Sequence, residues 1–143
     1  PEVVPTRQTG RRPPPRPSAR VELQVYGPLR CTASYSWDPG HPALAQPCHA
    51  TGPKIRLLGR MQALPGVQAD ISLWLADDAT GTRVAGPFTC VAVMFTDAAP
   101  ARDCGPFDTP AEHGRRYVVV QEWGYTNQRM LPGGSARSDP FTW

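Results

Sequence analysis

Four cysteines, Cys31, Cys48, Cys90 and Cys104, offer the most chemistry in the chain, and their spacing decides which kind. None belongs to a C-x-x-C pair, the close spacing that zinc ligands usually adopt, so a zinc centre built from these thiolates is not expected. Cys48-His49 with His41 is the nearest approach to a metal cluster, but both histidines read as loop residues. No metal or other cofactor is expected. An even set without such a pair reads as two disulfides formed in an oxidising compartment outside the cytoplasm. Of the three connectivities, the local pairs Cys31–Cys48 and Cys90–Cys104 are preferred, because each closes a Pro/Gly-rich loop after a strand. Each is worth ~3 kcal/mol in the loop-entropy account. The rival is Cys31–Cys90 joining two sheets near Trp37.

Enzymatic constellations are missing. The chain holds no G-x-S-x-G, no H-E-x-x-H, no P-loop and no dinucleotide fingerprint. Gly133-Gly134-Ser135 lies in a terminal loop without the strand that a nucleophile elbow needs. Asp77 and Asp78 are adjacent carboxylates, but neighbours at a strand end point apart, and a solvated turn is the expectation. His113, in the polar run Glu112-His113-Gly114-Arg115-Arg116, would need a nucleophile to serve as a base, and none is identifiable. With every cysteine oxidised, no thiol nucleophile remains. The chain is therefore expected not to be an enzyme.

Aromatic residues beside loops are the remaining candidates. Tyr35 and Trp37 precede the Asp38–Pro47 loop, Trp123 and Tyr125 close a strand, and Phe141 and Trp143 end the chain. Such side chains anchor ligands or partners through large amphipathic area, and they equally plug a sandwich core. Trp74 stands apart. In Ile71-Ser72-Leu73-Trp74-Leu75 it alternates out of phase with the aliphatic residues, so if those form the core face, Trp74 lies on the other.

The elements that must position these residues have period two. Val21–Val25, Thr32–Trp37, Ile55–Leu58, Ile71–Leu75, Phe88–Phe95 and Tyr117–Trp123 alternate or run apolar, separated by Gly, Pro and Asp clusters. Asp38-Pro39-Gly40 is a turn signal, and Ala76-Asp77-Asp78-Ala79-Thr80-Gly81 reads as a hairpin turn. Pro at positions 28, 53, 65, 87, 100, 106, 110, 132 and 140 excludes long helices nearly everywhere. The expectation is an all-β, antiparallel sandwich of about six to eight short strands with two disulfides.

Of 143 residues, 18 are Pro and 13 Gly, and the formal charge is +3. The charge is unevenly placed. Residues 1–20 carry five Arg against Glu2, whereas residues 21–143 carry ten cationic and eleven acidic side chains. A nearly neutral body argues against nucleic-acid binding, which needs a basic face on the folded part. Residues 1–20 also hold six Pro and almost nothing to bury. They read as an extended polyproline-like stalk or linker, ~60 Å long at about 3.1 Å per residue, ahead of a domain at 21–143. Arg11, Pro14 and Pro17 match the R-x-x-P-x-x-P pattern read by SH3 domains, and the arginines would also suit a stretch held near anionic lipid. The apolar runs are too short to span a membrane, and the first residues lack the apolar core of a signal peptide.

Several segments together, Arg30-Cys31-Thr32-Ala33, Val84-Ala85-Gly86-Pro87-Phe88-Thr89-Cys90, Asp103-Cys104-Gly105-Pro106 and His113 to Val119, follow the Arg/Pro stalk and lead to Gly133-Gly134-Ser135-Ala136-Arg137. In this the domain resembles the extracytoplasmic C-terminal domains of bacterial membrane-anchored Ser/Thr receptor kinases. The resemblance implies a tethered sensor that binds a small ligand or a protein, with a membrane anchor and any kinase domain upstream. A second, local resemblance rests on Pro39-Gly40-His41-Pro42 and Cys48 following Cys31, which is similar to the first disulfide loop of subtilisin inhibitor-like proteins. It implies a protease-binding loop beginning at Cys90, with Ala92 or Met94 near the scissile-like position. Pro47 before Cys48, a residue other than Pro after Cys90, and Cys104 only fourteen residues beyond Cys90 depart from that pattern. A strand over Cys90–Phe95 would moreover bury residues that an inhibitor must expose.

Overall fold

A computed structural model describes residues 25–36, 42–127 and 131–143. The stalk at 1–20, Trp37 and His41 lie outside them. The described chain is all β, in ten strands: β1 Arg30–Cys31, β2 Ser34–Ser36, β3 Ala43–Thr51, β4 Ile55–Ala63, β5 Gln68–Asp77, β6 Arg83–Met94, β7 Ala101–Thr109, β8 Arg116–Tyr125, β9 Gly134–Arg137 and β10 Phe141–Thr142. The number exceeds the expected range because β1, β2, β9 and β10 are short edge pieces of two to four residues.

Every pairing is antiparallel. Sheet A runs β1-β3-β4-β7, with β2 also on β3, and sheet B runs β10-β8-β5-β6, with β9 also on β8. The sheets face each other over one apolar core. Ala45, Ile55, Leu57 and Met61 of sheet A meet Ile71, Leu73, Leu75, Tyr117, Val119 and Trp123 of sheet B. Alternation produces this directly, since a period of two puts every second side chain of β4, β5 and β8 on the inner face. Gln121 breaks the apolar run at the centre. Fully buried, it spans the sheets by donating from Nε2 to the Arg60 carbonyl at 3.1 Å.

Three expectations change here. Val25 lies in a bend rather than a strand, and residues 21–24 fall outside the described chain. The Asp38–Pro47 loop is strand from Ala43 onward, and β3 is central in sheet A. A proline is tolerated there because the Pro47 carbonyl faces β1 and β2, accepting from Thr32 N–H at 3.1 Å. Its missing N–H points the same way, toward Thr32-Ala33, where the edge strand is interrupted. The third change is β7, a strand that no expected run covered.

Both outer strands on one flank, β6 and β7, are bulged. Gly86-Pro87 sits opposite Trp74 between the pairs Leu73↔Phe88 and Leu75↔Ala85. Gly105-Pro106 sits likewise opposite Leu58 between Leu57↔Phe107 and Gly59↔Cys104. Gly86 and Gly105 have φ of 98° and 106°, and a Cβ would lie 2.9 Å from the Leu73 carbonyl oxygen and 3.0 Å from that of Leu57. Only glycine suits such positions. The two Gly-Pro-Phe segments face each other across the sandwich, with Phe88 and Phe107 stacked at 5.0 Å. A third bulge sets Val91-Ala92 against Asp70. Bulges bend both edges and blunt them as templates for a further strand.

Candidate functional site

Disulfides join Cys31 to Cys48 and Cys90 to Cys104, with Cα separations of 4.0 and 5.8 Å, so the local connectivity holds and the Cys31–Cys90 rival falls. Their roles differ. Cys31 lies directly opposite Cys48 across the β1–β3 pair, within one sheet. Cys90–Cys104 instead ties β6 to β7 and so binds the edges of the two sheets. Such bonds fit an oxidising, extracytoplasmic compartment. No helix among the described residues is long and apolar enough to cross a membrane.

The aromatic candidates separate into different places. Trp123 and Tyr125 are buried in the core, where the Trp123 indole N–H donates to Tyr125 Oη at 3.3 Å. Trp74 is on the outer face, as its phase required, packed on Ala76, Val118 and Val120 with the Arg83 guanidinium 4.3 Å from its ring centre. Tyr35 is 64% exposed on β2, beside a shallow groove of about 270 Å³ with Pro42, Leu44 and Leu64. The inhibitor-type residues are also exposed. Val91 is 72% accessible, and Ala92 and Met94 are open to solvent although β6 is a strand, because the strand lies on an edge and bulges there. Ala92 has a left-handed φ of 55°, and its N–H donates to Asp70 Oδ1 at 2.8 Å.

The polar candidates are engaged within the fold. Asp77 is buried in the β5–β6 turn, where Oδ1 accepts from the Thr80 and Ala79 N–H groups and Oδ2 from Arg115 at 2.9 Å. The Thr80 N–H contributes most to holding this carboxyl below its ordinary range, and Arg115 assists. Asp78 faces Arg116 and Arg137. His113 stacks on Trp143 at 3.7 Å. On the outer face of sheet A, Arg56 pairs with Asp108 and Arg60 with Asp103. Among the described residues no three His, Cys, Asp or Glu side chains gather as metal ligands.

One place gathers polar groups that the fold does not use. His49, expected in a loop, lies on β3 opposite Arg30 of β1. Directly paired residues share a face, and this one looks inward at sheet B. The His49 ring stacks on Phe141 of β10, centroid to centroid 3.8 Å, and is 9% exposed. Beside it opens a cleft of about 450 Å³ between the sheets, walled by Arg30, Thr32, His49 and Thr51 on one side and Asp139–Thr142 on the other. The Asp139 N–H donates to Thr32 Oγ1 at 2.9 Å and holds the two walls together. His49 Nδ1 is buried without a hydrogen-bond partner. Among the described residues, no ion pair engages Arg30 or the Asp139 carboxylate. The cleft is therefore a polar opening in the flank opposite Cys90–Cys104, with the His49 imidazole in its wall and opposite charges on its rims. Sequence reading missed it because residues 30–32, 49–51 and 139–142 share no local pattern.

Burial depresses the His49 pKa below its ordinary 6.5, and Arg30 adds to the effect against an opposing Asp139. The unfolded chain thus binds more protons than the folded one below pH 6.5, so stability is full above that value and falls as pH decreases through it. Melting curves from pH 7.5 to 5 are expected to show this loss, and His49→Phe, which keeps the stack on Phe141, is expected to reduce it. An equal pH slope in both proteins would assign the loss elsewhere. No protein family, curated protein or solved structure matches the chain.

Proposed function

We propose that the domain is an extracytoplasmic, non-catalytic binding or sensor module, tethered to a membrane protein by its Arg/Pro-rich stalk, which receives a small polar ligand in the cleft at His49. The observation that carries this reading is an open cleft lined by His49, whose buried Nδ1 has no hydrogen-bond partner. A buried polar atom without a partner costs about 1–3 kcal/mol, a penalty that a ligand able to hydrogen-bond there would relieve. The cleft volume lies in the range of small-molecule sites. Supporting the absence of catalysis, the cysteines are oxidised, Asp77 and Asp78 sit in ion pairs, and His113 is stacked. The two disulfides support the extracytoplasmic assignment.

The test is amide NMR of the full chain titrated separately with amino acids, monosaccharides, dicarboxylates and inorganic phosphate. At least one class should shift the amides of Thr32, His49 and Thr51 in a saturable way. Saturable shifts confined to the Trp74 face or the Tyr35 groove would move the site, and no saturable shift from any class would overturn the reading.

A second reading, a secreted inhibitor of serine proteases, draws on the exposure of Val91, Ala92 and Met94 beside the Cys90–Cys104 bond. It ranks below the first. A protease takes its substrate extended, whereas Ala92 is left-handed and its N–H is engaged by Asp70.

A further inference from the structure

Arg30 and Asp139 carry opposite charges on opposite walls of one narrow cleft, without pairing to each other. Elsewhere among the described residues, ion pairs join Arg56 with Asp108, Arg60 with Asp103, Arg115 with Asp77 and Glu112, and Asp78 with Arg116 and Arg137. The unpaired Arg30 and Asp139 line the same cleft as His49, whose buried ring nitrogen Nδ1 has no partner.

We infer that the ligand of this cleft is a small zwitterion, an amino acid or a short peptide, with its carboxylate on Arg30 and its ammonium group on Asp139. This inference rests on the cleft being the binding site. Charge balance selects the class. A free anion would gain Arg30 but face the Asp139 carboxylate, and a free cation would meet the reverse. A neutral polyol would leave both rims without a counter-charge. A zwitterion satisfies both, and guanidinium–carboxylate and ammonium–carboxylate contacts are charge-assisted hydrogen bonds, about twice as strong as neutral ones. Thr32 and Thr51 line the wall between the rims, and Phe141 lines the opposite wall beside the methylene segment joining the two charges. Arg30 begins the edge strand β1 and Asp139 lies in the link between β9 and β10, both exposed, so a ligand enters without displacing the core.

The experiment is calorimetric titration of the full chain with glycine, β-alanine, γ-aminobutyrate and glycylglycine, which separate the two charges by increasing lengths. Sodium acetate and methylammonium chloride serve as half-ligands. One zwitterion is expected to bind at least about tenfold more tightly than either half-ligand, as expected for losing one charge-assisted contact. Arg30→Gln and Asp139→Asn, both at exposed side chains, should each weaken that zwitterion about tenfold. Arg30→Gln should leave methylammonium binding unchanged, and Asp139→Asn should not weaken acetate. Acetate binding as tightly as the best zwitterion, with Asp139→Asn without effect, would overturn the zwitterion and leave the cleft as an anion site. Loss of the zwitterion class, together with phosphate or a sugar shifting Thr32 and His49 in the NMR series, would overturn this inference alone. Silence of every probe in both experiments would overturn the inference and the cleft together.

Discussion

Trp123→Ala is expected to lower the unfolding free energy by about 3–5 kcal/mol, the range for removing a buried Trp from a packed core. Trp123 is 5% exposed, and β9 closes directly over its ring: a Cβ on Gly134 would lie 2.2 Å from Trp123 Cζ2. So close a lid leaves the surroundings little room to collapse into the vacated volume, which places the variant toward the upper end. Its indole N–H also bonds to Tyr125 Oη, and this contact goes with the ring. Against a total of roughly 5–15 kcal/mol for a domain, the loss is severe, and the melting temperature should fall by roughly 10–20 °C. Urea unfolding followed by circular dichroism reads it. A change within about 0.5 kcal/mol, the usual scale for a surface substitution, would return Trp123 to the role of an exposed contact residue.

The same residue separates what was legible in the sequence from what was not. Tyr117, Val119 and Trp123 share one parity of an alternating run, and parity alone assigns them to one face; the structure puts that face inward. Trp74 followed the same rule to the opposite face. Where period two is clean, the strand and its inner side can be read without coordinates. It fails where small residues and prolines replace branched ones, as in Ala43, Ala45 and Pro47 of β3, whose inward side carries little hydrophobic signal. It fails again in β7, where Gly105-Pro106 inserts a bulge and shifts the phase midway. The cleft lies further still from sequence. The hydrogen bond that closes it joins Thr32 to Asp139, 107 residues apart, and no local spacing encodes such a pairing. The two cysteine pairs were legible because each closes a short loop. What each bond holds together was not.

Removing Cys90–Cys104 by a paired Cys90→Ala, Cys104→Ala substitution tests that difference. The bond spans 14 residues and Cys31–Cys48 spans 17, so loop-closure entropy alone assigns ~3 kcal/mol to each and separates them by only about 0.2 kcal/mol. Alanine is the better replacement, since Cys104 is fully buried and a serine hydroxyl there would add a desolvation penalty of its own. The folded states are affected unequally. Without Cys31–Cys48, β1 still pairs with β3 through its ladder, and the bond braces an edge within one sheet. Without Cys90–Cys104, the β6–β7 flank keeps the Phe88–Phe107 stack but loses its covalent link between sheets whose outer strands are already bulged. The Cys90/Cys104 variant is therefore expected to lose about 3 kcal/mol or more, and to exceed the Cys31→Ala, Cys48→Ala variant by well over the entropic difference. Its excess should appear as faster amide exchange in β6 and β7, the region released, while the centre of β5 stays protected. Equal losses in the two variants, with unchanged exchange on that flank, would mean that both bonds act through the unfolded chain and that side-chain packing alone closes the sandwich.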